Sequence, residues 1–235
     1  MDGTTEFSIV AKNEYSGYNK PVYTYSMPTM NNFSIPLNYE EIQGIYIQHI
    51  DGTLYTTDEW TASGYANDQA NGVAFTSIST SFVIAKENAS DLSRAWGGYN
   101  KSITDICTTS SYYTAVLDFD GENNTPKIIE QLSGYTDSNG VTGAPAAEAC
   151  VAYVFPNGKT GYLGALGQWQ AVYNNKTAVN NAMSIIGGKA ISSDTYWTST
   201  QDSHLFSWYQ SYSSGSSRSN NKSYSYLVRA FCPLT

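Results

Sequence analysis

Four oxygen-bearing side chains at alternate positions form a regular cluster of possible metal ligands. They are Asp118, Asp120, Glu122 and Asn124. An EF-hand calcium loop begins with such a pattern, but it also needs glycine at its sixth position and glutamate at its twelfth. Counted from Asp118, those two positions hold Asn123 and Ile129. The cluster therefore fails the EF-hand pattern, and we expect no metal site in this protein.

Nucleophilic and redox chemistry has few candidate residues. The chain has three cysteines and two histidines: Cys107, Cys150, Cys232, His49 and His204. A Cys–His dyad needs a histidine beside a thiol, and structural zinc needs four converging ligands; neither pattern is visible. We expect buried or idle thiols, with one disulfide as the lesser alternative.

A group of glycines is the remaining candidate for cofactor binding. Gly161, Gly164 and Gly167 lack both the spacing and the strand–loop–helix context of a dinucleotide fingerprint. We expect them to permit close packing instead. With no metal, cofactor or catalytic pattern recognised, we predict a protein that is not an enzyme and that uses no cofactor.

The charge balance narrows the choice of partners. Charged residues make up only 14% of the chain, against roughly 25% in typical domains, and the net charge is −8. Because nucleic-acid binding requires cations that neutralise phosphates, we expect no nucleic-acid partner. The apolar runs are too short to span a bilayer, so we expect no membrane insertion. The first residues lack the basic and apolar stretches of a secretion signal, and we expect none in this sequence.

The first 43 residues differ in pattern from the rest of the chain. Short extended stretches interrupted by prolines predict an extended segment or a partial β module over residues 1–43, and residues 44–235 are predicted as the main domain. Residues 44–50 alternate as a strand, and a turn at Asp51-Gly52 leads to a possible hairpin partner at 53–55. Two further core strands are predicted, at 72–75 and 81–85.

Helical periodicity is clearest between residues 144 and 188. A helix begins near Pro145, where a missing N–H costs little. Apolar residues then recur at helical spacing from Leu166, and a second helical stretch over 178–186 ends at a pair of glycines. Residues 86–143 are predicted as mostly loop with a short helix at 126–132. We predict an α+β fold, in which two helices pack on a mostly antiparallel sheet.

The chain ends in strands of alternating character. Residues 195–201, 205–212 and 224–231 are predicted strands, and the loop at 213–221 has no hydrophobic residue. In the middle strand, Trp208 and Gln210 share one face, which we predict to be buried. The intervening residues, Ser207, Tyr209 and Ser211, are predicted to be exposed on the other face.

Three segments, taken in order, resemble a known family. They are Gly161-Tyr162-Leu163-Gly164 with Trp169 and Tyr173-Asn174-Asn175; Tyr196-Trp197-Thr198-Ser199-Thr200; and Ser207-Trp208-Tyr209 followed by Val228-Arg229-Ala230-Phe231. Together they resemble the C-type lectin-like domains of bacterial and phage proteins, a group that includes the variable proteins of diversity-generating retroelements. The resemblance spans roughly residues 70–232.

This resemblance implies a C-type lectin-like fold that ends in a long loop or hairpin facing the ligand. In the retroelement members, the residues between the Tyr-Trp-Thr-Ser-Thr strand and the Val-Arg terminus are diversified by adenine-directed mutagenesis. Such mutagenesis of Asn codons cannot produce Lys, Gln, Glu, Trp or Met. Among residues 202–226, only Trp208, Gln210 and Lys222 belong to these types. That number is close to the chance expectation, so it does not by itself indicate diversification.

The candidate binding residues come from this C-terminal stretch, because Tyr, Ser and Asn together make adaptable contact surfaces. The predicted ligand-binding face consists of Asp202, Ser203, His204, Leu205, Ser207, Tyr209, Ser211, Ser213, Ser214, Ser216, Arg218, Ser219, Asn220, Asn221, Ser223, Tyr224, Ser225 and Tyr226. An ordinary solvated hairpin has a similar composition. Animal sugar-binding motifs such as Glu-Pro-Asn and Gln-Pro-Asp are absent, so we expect binding that needs no calcium.

Two hypotheses for function follow from these patterns. The first is a receptor-binding protein with a variable C-terminal face, diversified by a retroelement and located on a phage tail or a bacterial cell surface. The second is a structural adhesin or fimbria-like subunit that carries a lectin-like domain. In the second hypothesis the lectin-like domain mediates assembly. The expected partner is a host-surface protein or glycan, and a homo-oligomer remains open.

Overall fold

The computed structural model describes residues 6–9, 23–26, 44–191 and 194–234. Within the N-terminal segment, strands β1 (Glu6–Ile9) and β2 (Tyr23–Ser26) pair with each other in antiparallel register. The prolines of this segment lie outside the described residues. The predicted domain boundary after residue 43 therefore stays a prediction.

The main sheet has six strands, and all their pairings are antiparallel. The strands are β3 (Gly44–His49), β4 (Leu54–Tyr55), β5 (Ala70–Thr76), β6 (Ser81–Ile84), β8 (Tyr162–Leu163) and β13 (Ala230–Pro233). Their spatial order is β4-β3-β5-β6-β13-β8, which places the last strand of the chain inside the sheet. The strands predicted at 44–50, 53–55, 72–75 and 81–85 are confirmed within one or two residues.

Six α-helices occur in the described part of the chain, where the fold prediction had two helices packed on the sheet. They are α1 (Thr57–Ser63), α2 (Tyr112–Ala115), α3 (Gly121–Leu132), α4 (Pro145–Ala152), α5 (Leu166–Asn174) and α6 (Lys176–Ile185). The α+β class is confirmed, but the prediction of two helices over residues 144–188 is wrong, because α4, α5 and α6 all lie there. None of these helices is long and apolar enough to cross a membrane.

Helix α1 was not predicted from the sequence, and helix α3 was predicted too short. Helix α1 is stabilised by a capping box, in which the Thr56 hydroxyl accepts from the Glu59 N–H and the Glu59 carboxylate accepts from the Thr56 N–H. Helix α3 begins five residues before Pro126, the residue at which the predicted helix started. The short helix predicted at 126–132 is therefore confirmed but too short, and the assignment of 86–143 as mostly loop is only partly right.

Both faces of the main sheet are covered, because alternate residues of its strands enter two separate apolar clusters. On one face, Phe82 and Phe231 pack with Trp169 of α5 and Met183 of α6. On the other face, Val83 packs with the cluster that contains buried residues of α3 and α4. The tight packing expected at the glycines is confirmed at Gly164, where an added Cβ would lie 2.6 Å from the ring of Phe231.

The remaining strands form a smaller surface beside the main sheet. Strands β9 (Thr195–Gln201), β10 (Phe206–Ser211) and β11 (Ser217–Asn221) form an antiparallel sheet with β10 in the centre. Strand β12 (Ser225–Tyr226) pairs with β7 (Arg94–Ala95). A bridge between Tyr196 and Leu227 joins this pair to the edge of β9. The five strands therefore adjoin in the order β11-β10-β9-β12-β7.

Candidate ligand-binding face

A row of five side chains crosses this smaller surface, one from each strand. The row consists of Arg218, Tyr209, Trp197, Tyr226 and Arg94, and we call it the aromatic row. Tyr209 lies directly opposite both Arg218 and Trp197, and Tyr226 lies directly opposite Arg94. Residues directly opposite each other on neighbouring strands project on the same side of a sheet. The alternation of the sequence therefore places these side chains together.

The three aromatic rings of the row are in mutual contact. The ring centroids of Trp197 and Tyr226 are 4.7 Å apart, those of Tyr209 and Tyr226 are 4.9 Å apart, and those of Trp197 and Tyr209 are 6.3 Å apart. Trp197 is fully buried beneath the two tyrosines, and its indole N–H donates to the Arg94 carbonyl at 2.9 Å. Asn220 donates to the Tyr226 hydroxyl at 2.6 Å. The tyrosines are thus held in fixed positions while remaining partly exposed.

Partial burial keeps the phenol of Tyr209, an accessible residue of the row, protonated. Partial burial raises the pKa of Tyr209, and Tyr226 adds to the rise, whereas the positive charge of Arg218 opposes it. The phenol is therefore neutral at physiological pH and able both to donate and to accept a hydrogen bond. Such a ring offers a ligand an apolar face with a polar tip.

The predicted binding residues do not form one patch. Tyr209, Arg218 and Tyr226 belong to the aromatic row, and Asn220 contacts Tyr226, whereas Tyr224 and Ser225 precede Tyr226 in the chain. Residues Asp202, Ser203, His204 and Leu205 lie in the β9–β10 turn, and Ser213, Ser214 and Ser216 lie in the β10–β11 turn. These turns are at opposite ends of β10, which is six residues or roughly 20 Å long. Ser223 lies before β12, where it accepts from Asn139 at 2.8 Å.

Two residues predicted to be exposed are buried. Ser207 is fully buried, and Ser211 is 6% exposed. The Ser207 hydroxyl donates to the Thr200 carbonyl on the neighbouring strand at 2.8 Å. The Ser211 hydroxyl makes a hydrogen bond with the Ser213 hydroxyl and accepts another from the Ser214 N–H, because the chain folds back over it in the β10–β11 turn. Small hydroxyl side chains that bond to nearby backbone are tolerated in such buried positions.

Two other predicted residues project on the wrong side of the sheet. Ser219 is opposite Trp208, and Asn221 is opposite Phe206. They therefore project on the side where Trp208 packs against Ala115 and Leu166, away from the aromatic row. The prediction treated the loop at 213–221 as one flexible surface, whereas residues 217–221 form a regular strand with two sides. Trp208 and Gln210 are buried as predicted.

Lys222 was not recognised from the sequence as a structural residue. Its side chain is fully buried, its ammonium donates to the Lys101 carbonyl at 2.8 Å and to the Gln201 amide oxygen at 2.6 Å, and it lies 4.6 Å from the Trp96 ring centroid. Its backbone also bonds to Leu205 and Gly97. Burial lowers the pKa of Lys222 to about 7, and Asp202 partly opposes this change. The residue joins the β11–β12 turn to three other segments.

Arg94 was also missed, since it lies more than one hundred residues before the other members of the row. No local pattern connects it with them, because β7 is only two residues long. The single usable signal is that arginine is rare: the whole sequence has three, at positions 94, 218 and 229.

The residues whose types could bind a metal or act as nucleophiles make structural contacts or are shielded from solvent. The Asp118 carboxylate accepts from the Thr200 hydroxyl at 2.7 Å and from the Asn124 amide, while burial raises its pKa. His49 pairs with Asp51 at 2.9 Å. Cys107, Cys150 and Cys232 are free thiols, and desolvation raises the pKa of all three, which disfavours the reactive thiolate. Within the described ranges, no three acidic, His or Cys residues form a group that could hold a metal.

Comparison with known proteins gives a structural relation only. No protein-family model matches the chain, and no curated protein matches it. A solved structure of a fimbrial protein from Bacteroides ovatus is similar, with a TM-score of 0.56 and 16% sequence identity. The match covers 92% of this chain and 56% of that protein, so this chain spans little more than half of its length. At this identity the similarity shows a shared fold.

Proposed function

We propose that this chain is a non-enzymatic binding module of a fimbria-type subunit on a bacterial surface, and that the aromatic row contacts its ligand. The observation that carries the proposal is the row itself, in which Tyr209 and Tyr226 are fixed by their neighbours yet remain partly exposed. Rigid tyrosines contribute large contact area at low entropic cost. The fold similarity to a fimbrial protein supports a surface location.

The resemblance to C-type lectin-like domains supports the same assignment, since in that family the C-terminal hairpin faces the ligand. The composition supports a protein or glycan as partner and opposes nucleic acid, because the net charge is −8. The engaged carboxylates and the buried or half-buried thiols support a binding rather than a catalytic role.

The proposal is tested by adhesion of beads that carry the purified chain to a panel of animal cells, bacterial cells and mucin-coated surfaces. Tyr209→Ser and Tyr226→Ser should each reduce adhesion about tenfold, because a few aromatic anchors normally carry most of the binding energy. Tyr113→Ser is the matched control: Tyr113 is 82% exposed and follows Tyr112, whose ring packs near Trp208 on the other side of β10. If both row variants adhere like the wild type, the row is not the contact surface.

One observation favours the further hypothesis that a retroelement diversifies this face. Only six of the 25 residues from 202 to 226 are buried, and they include Trp208, Gln210 and Lys222. These three are the residues of this stretch that adenine-directed mutagenesis of Asn codons cannot produce. A fixed interior beneath variable surface positions would have this distribution. Sequencing the locus tests the hypothesis, which requires a reverse transcriptase gene and a near-copy of the repeat that encodes residues 202–226.

A further inference from the structure

Two of the three arginines in the sequence are placed at the two ends of the aromatic row. Arg94 and Arg218 are both exposed, whereas Arg229 is fully buried. The chain as a whole has a net charge of −8 with only 12 Lys and Arg residues. Two exposed guanidinium groups on one surface are therefore a local exception to the net charge of the molecule.

Among the residues that the structure describes, neither of the two exposed arginines is neutralised by a carboxylate. No carboxylate of the described residues lies within 4.0 Å of Arg94 or Arg218. Arg94 donates through Nε to the Ser90 hydroxyl at 3.0 Å. Asp137, the acidic residue that contacts Ser223 beside the row, is buried and accepts from the backbone of Asn139 and Val141. Both guanidinium groups thus keep donors for a ligand.

The spacing of the arginines indicates the shape of that ligand. They are separated by four strand-to-strand steps of about 4.8 Å each, or roughly 19 Å across the strands. A single phosphate or sulfate cannot span this distance, whereas an extended polypeptide covers it with about six residues. The tyrosines lie between the two charges, where the middle of such a segment would rest.

The chemistry favours a protein over an acidic glycan. Arginine binds carboxylates through two parallel hydrogen bonds, and tyrosine and arginine are, with tryptophan, enriched at protein–protein hot spots. A basic or neutral partner would gain nothing from the two guanidinium groups. An acidic partner, by contrast, is repelled by the protein as a whole and attracted at this site, which gives both register and specificity.

We propose that the aromatic row binds an extended acidic segment of a partner protein, with Arg94 and Arg218 each pairing with a carboxylate and with Tyr209 and Tyr226 contacting the residues between. This proposal rests on the proposed function of the row as the binding face, and it adds the chemical class of the partner.

The test uses an array of 12-residue peptides rich in Asp and Glu, a matched array with Asn and Gln in their place, and beads that carry chondroitin sulfate. The labelled wild-type chain should prefer the acidic peptides over their amide counterparts by about tenfold or more, as expected for charge-assisted hydrogen bonds. Arg94→Ser and Arg218→Ser should each remove most of this preference. Lys189→Ser, which removes an exposed positive charge outside the row, should retain it. The double variant Arg94→Glu/Arg218→Glu should prefer Lys-rich peptides.

Three results would overturn the acidic-segment proposal: equal binding of acidic and amide peptides, a preference that survives both serine substitutions, or arginine-dependent binding of chondroitin sulfate without binding of acidic peptides. The bead-adhesion assay separates this failure from failure of the proposed function. If Tyr209→Ser and Tyr226→Ser abolish adhesion while the arginine variants adhere normally, the binding face stands and the acidic partner falls. If none of the four variants changes adhesion, both proposals fall.

Discussion

The two sides of the β9–β11 sheet are made by neighbouring residues of one strand, yet they are stabilised differently. On one side, Trp208 is 5% exposed, packs with Ala115 and Leu166, and donates from its indole nitrogen to the Thr109 carbonyl at 2.8 Å. On the other side, Tyr209 is only half-buried, and its ring packs against Trp197 and Tyr226. The side of the sheet that carries Tyr209 is therefore the more accessible of the two, and we call it the open side.

The open side is supported by buried hydrogen bonds as well as by Trp197, which packs beneath the two tyrosines. The Ser207 hydroxyl donates to the Thr200 carbonyl. The amide oxygen of the neighbouring Gln201 accepts from the Lys222 side chain and from the Ile103 N–H. Buried polar groups that are fully paired hold one geometry, whereas unpaired ones are costly. The exposed side chains of Arg94 and Arg218 at the two ends of the row should by contrast carry little of the folding free energy.

The largest effect that the comparison predicts is on the covered side. Trp208→Ala should lower the free energy of unfolding by about 3–5 kcal/mol, because it removes a buried ring and leaves a cavity. Urea denaturation of the variant measures this loss. Tyr113→Ala, a change at an 82% exposed aromatic residue in the neighbouring helix α2, should alter stability by no more than ~0.5 kcal/mol. A small effect of Trp208→Ala would mean that the two sides do not differ.

The sequence predicted which sides of β10 Trp208, Tyr209 and Gln210 occupy, because successive side chains of a strand alternate between its two sides. Trp208 and Gln210 are buried, as expected from their alternation with Tyr209. The burial of Ser207 was not predictable in this way, since it depends on Gln201 and Thr200 across the strand pair. Local patterns specify which side a residue takes, but contacts distant in sequence decide whether that side is open.

The same limit applies to the fold. Helices α5 and α6 have clear apolar stripes and were recognised, as were strands β3 to β6, whereas the single strand predicted over 224–231 is divided between β12 and β13. Helix α1 was missed although the capping pair Thr56 and Glu59 was a readable signal. The contribution of Arg94 to the row had no local signal, because a two-residue strand acquires its position only from its partner β12.

The second prediction concerns the hydrogen-bonded support of the open side. Burial lowers the pKa of Lys222 from 10.5 to about 7, so between these values the unfolded chain binds a proton that the folded protein does not. Folding stability should therefore rise with pH in this window, by up to ~1.4 kcal/mol per pH unit, and the cost of the buried charge is fully present below about pH 7. Lys222→Met should lack this contribution.

The measurement is urea denaturation of the wild type and Lys222→Met from pH 6 to 9.5. The difference between their free energies of unfolding should change by roughly 3 kcal/mol in favour of the wild type above pH 7. Lys189→Met, at an exposed lysine, should follow the wild type at every pH. Parallel curves for the wild type and Lys222→Met would show that Lys222 stays charged in the folded protein.

The third prediction compares the same substitution, serine to asparagine, at a buried and at an exposed serine of these strands. Ser207→Asn enlarges a fully buried side chain and disrupts its bond to Thr200, so it should cost about 2 kcal/mol through overpacking and lost hydrogen bonding. Ser225→Asn places the same side chain on an exposed residue of β12 and should change stability by less than ~0.5 kcal/mol. Equal effects in thermal melts would contradict the burial assigned to Ser207.

The smallest effect is expected for the arginines at the ends of the aromatic row. Both side chains are exposed and unpaired with carboxylates among the described residues, so Arg94→Ser/Arg218→Ser should change the free energy of unfolding by no more than ~0.5 kcal/mol. Since the substitutions take the net charge from −8 to −10, the small loss should arise from repulsion and should vanish at high salt. Urea denaturation at 50 and 500 mM NaCl measures both quantities. A loss above ~1.5 kcal/mol that persists at high salt, beyond what exposed positions contribute, would mean that the arginines hold β7 and β11 in place and that the open side is scaffold rather than a binding face.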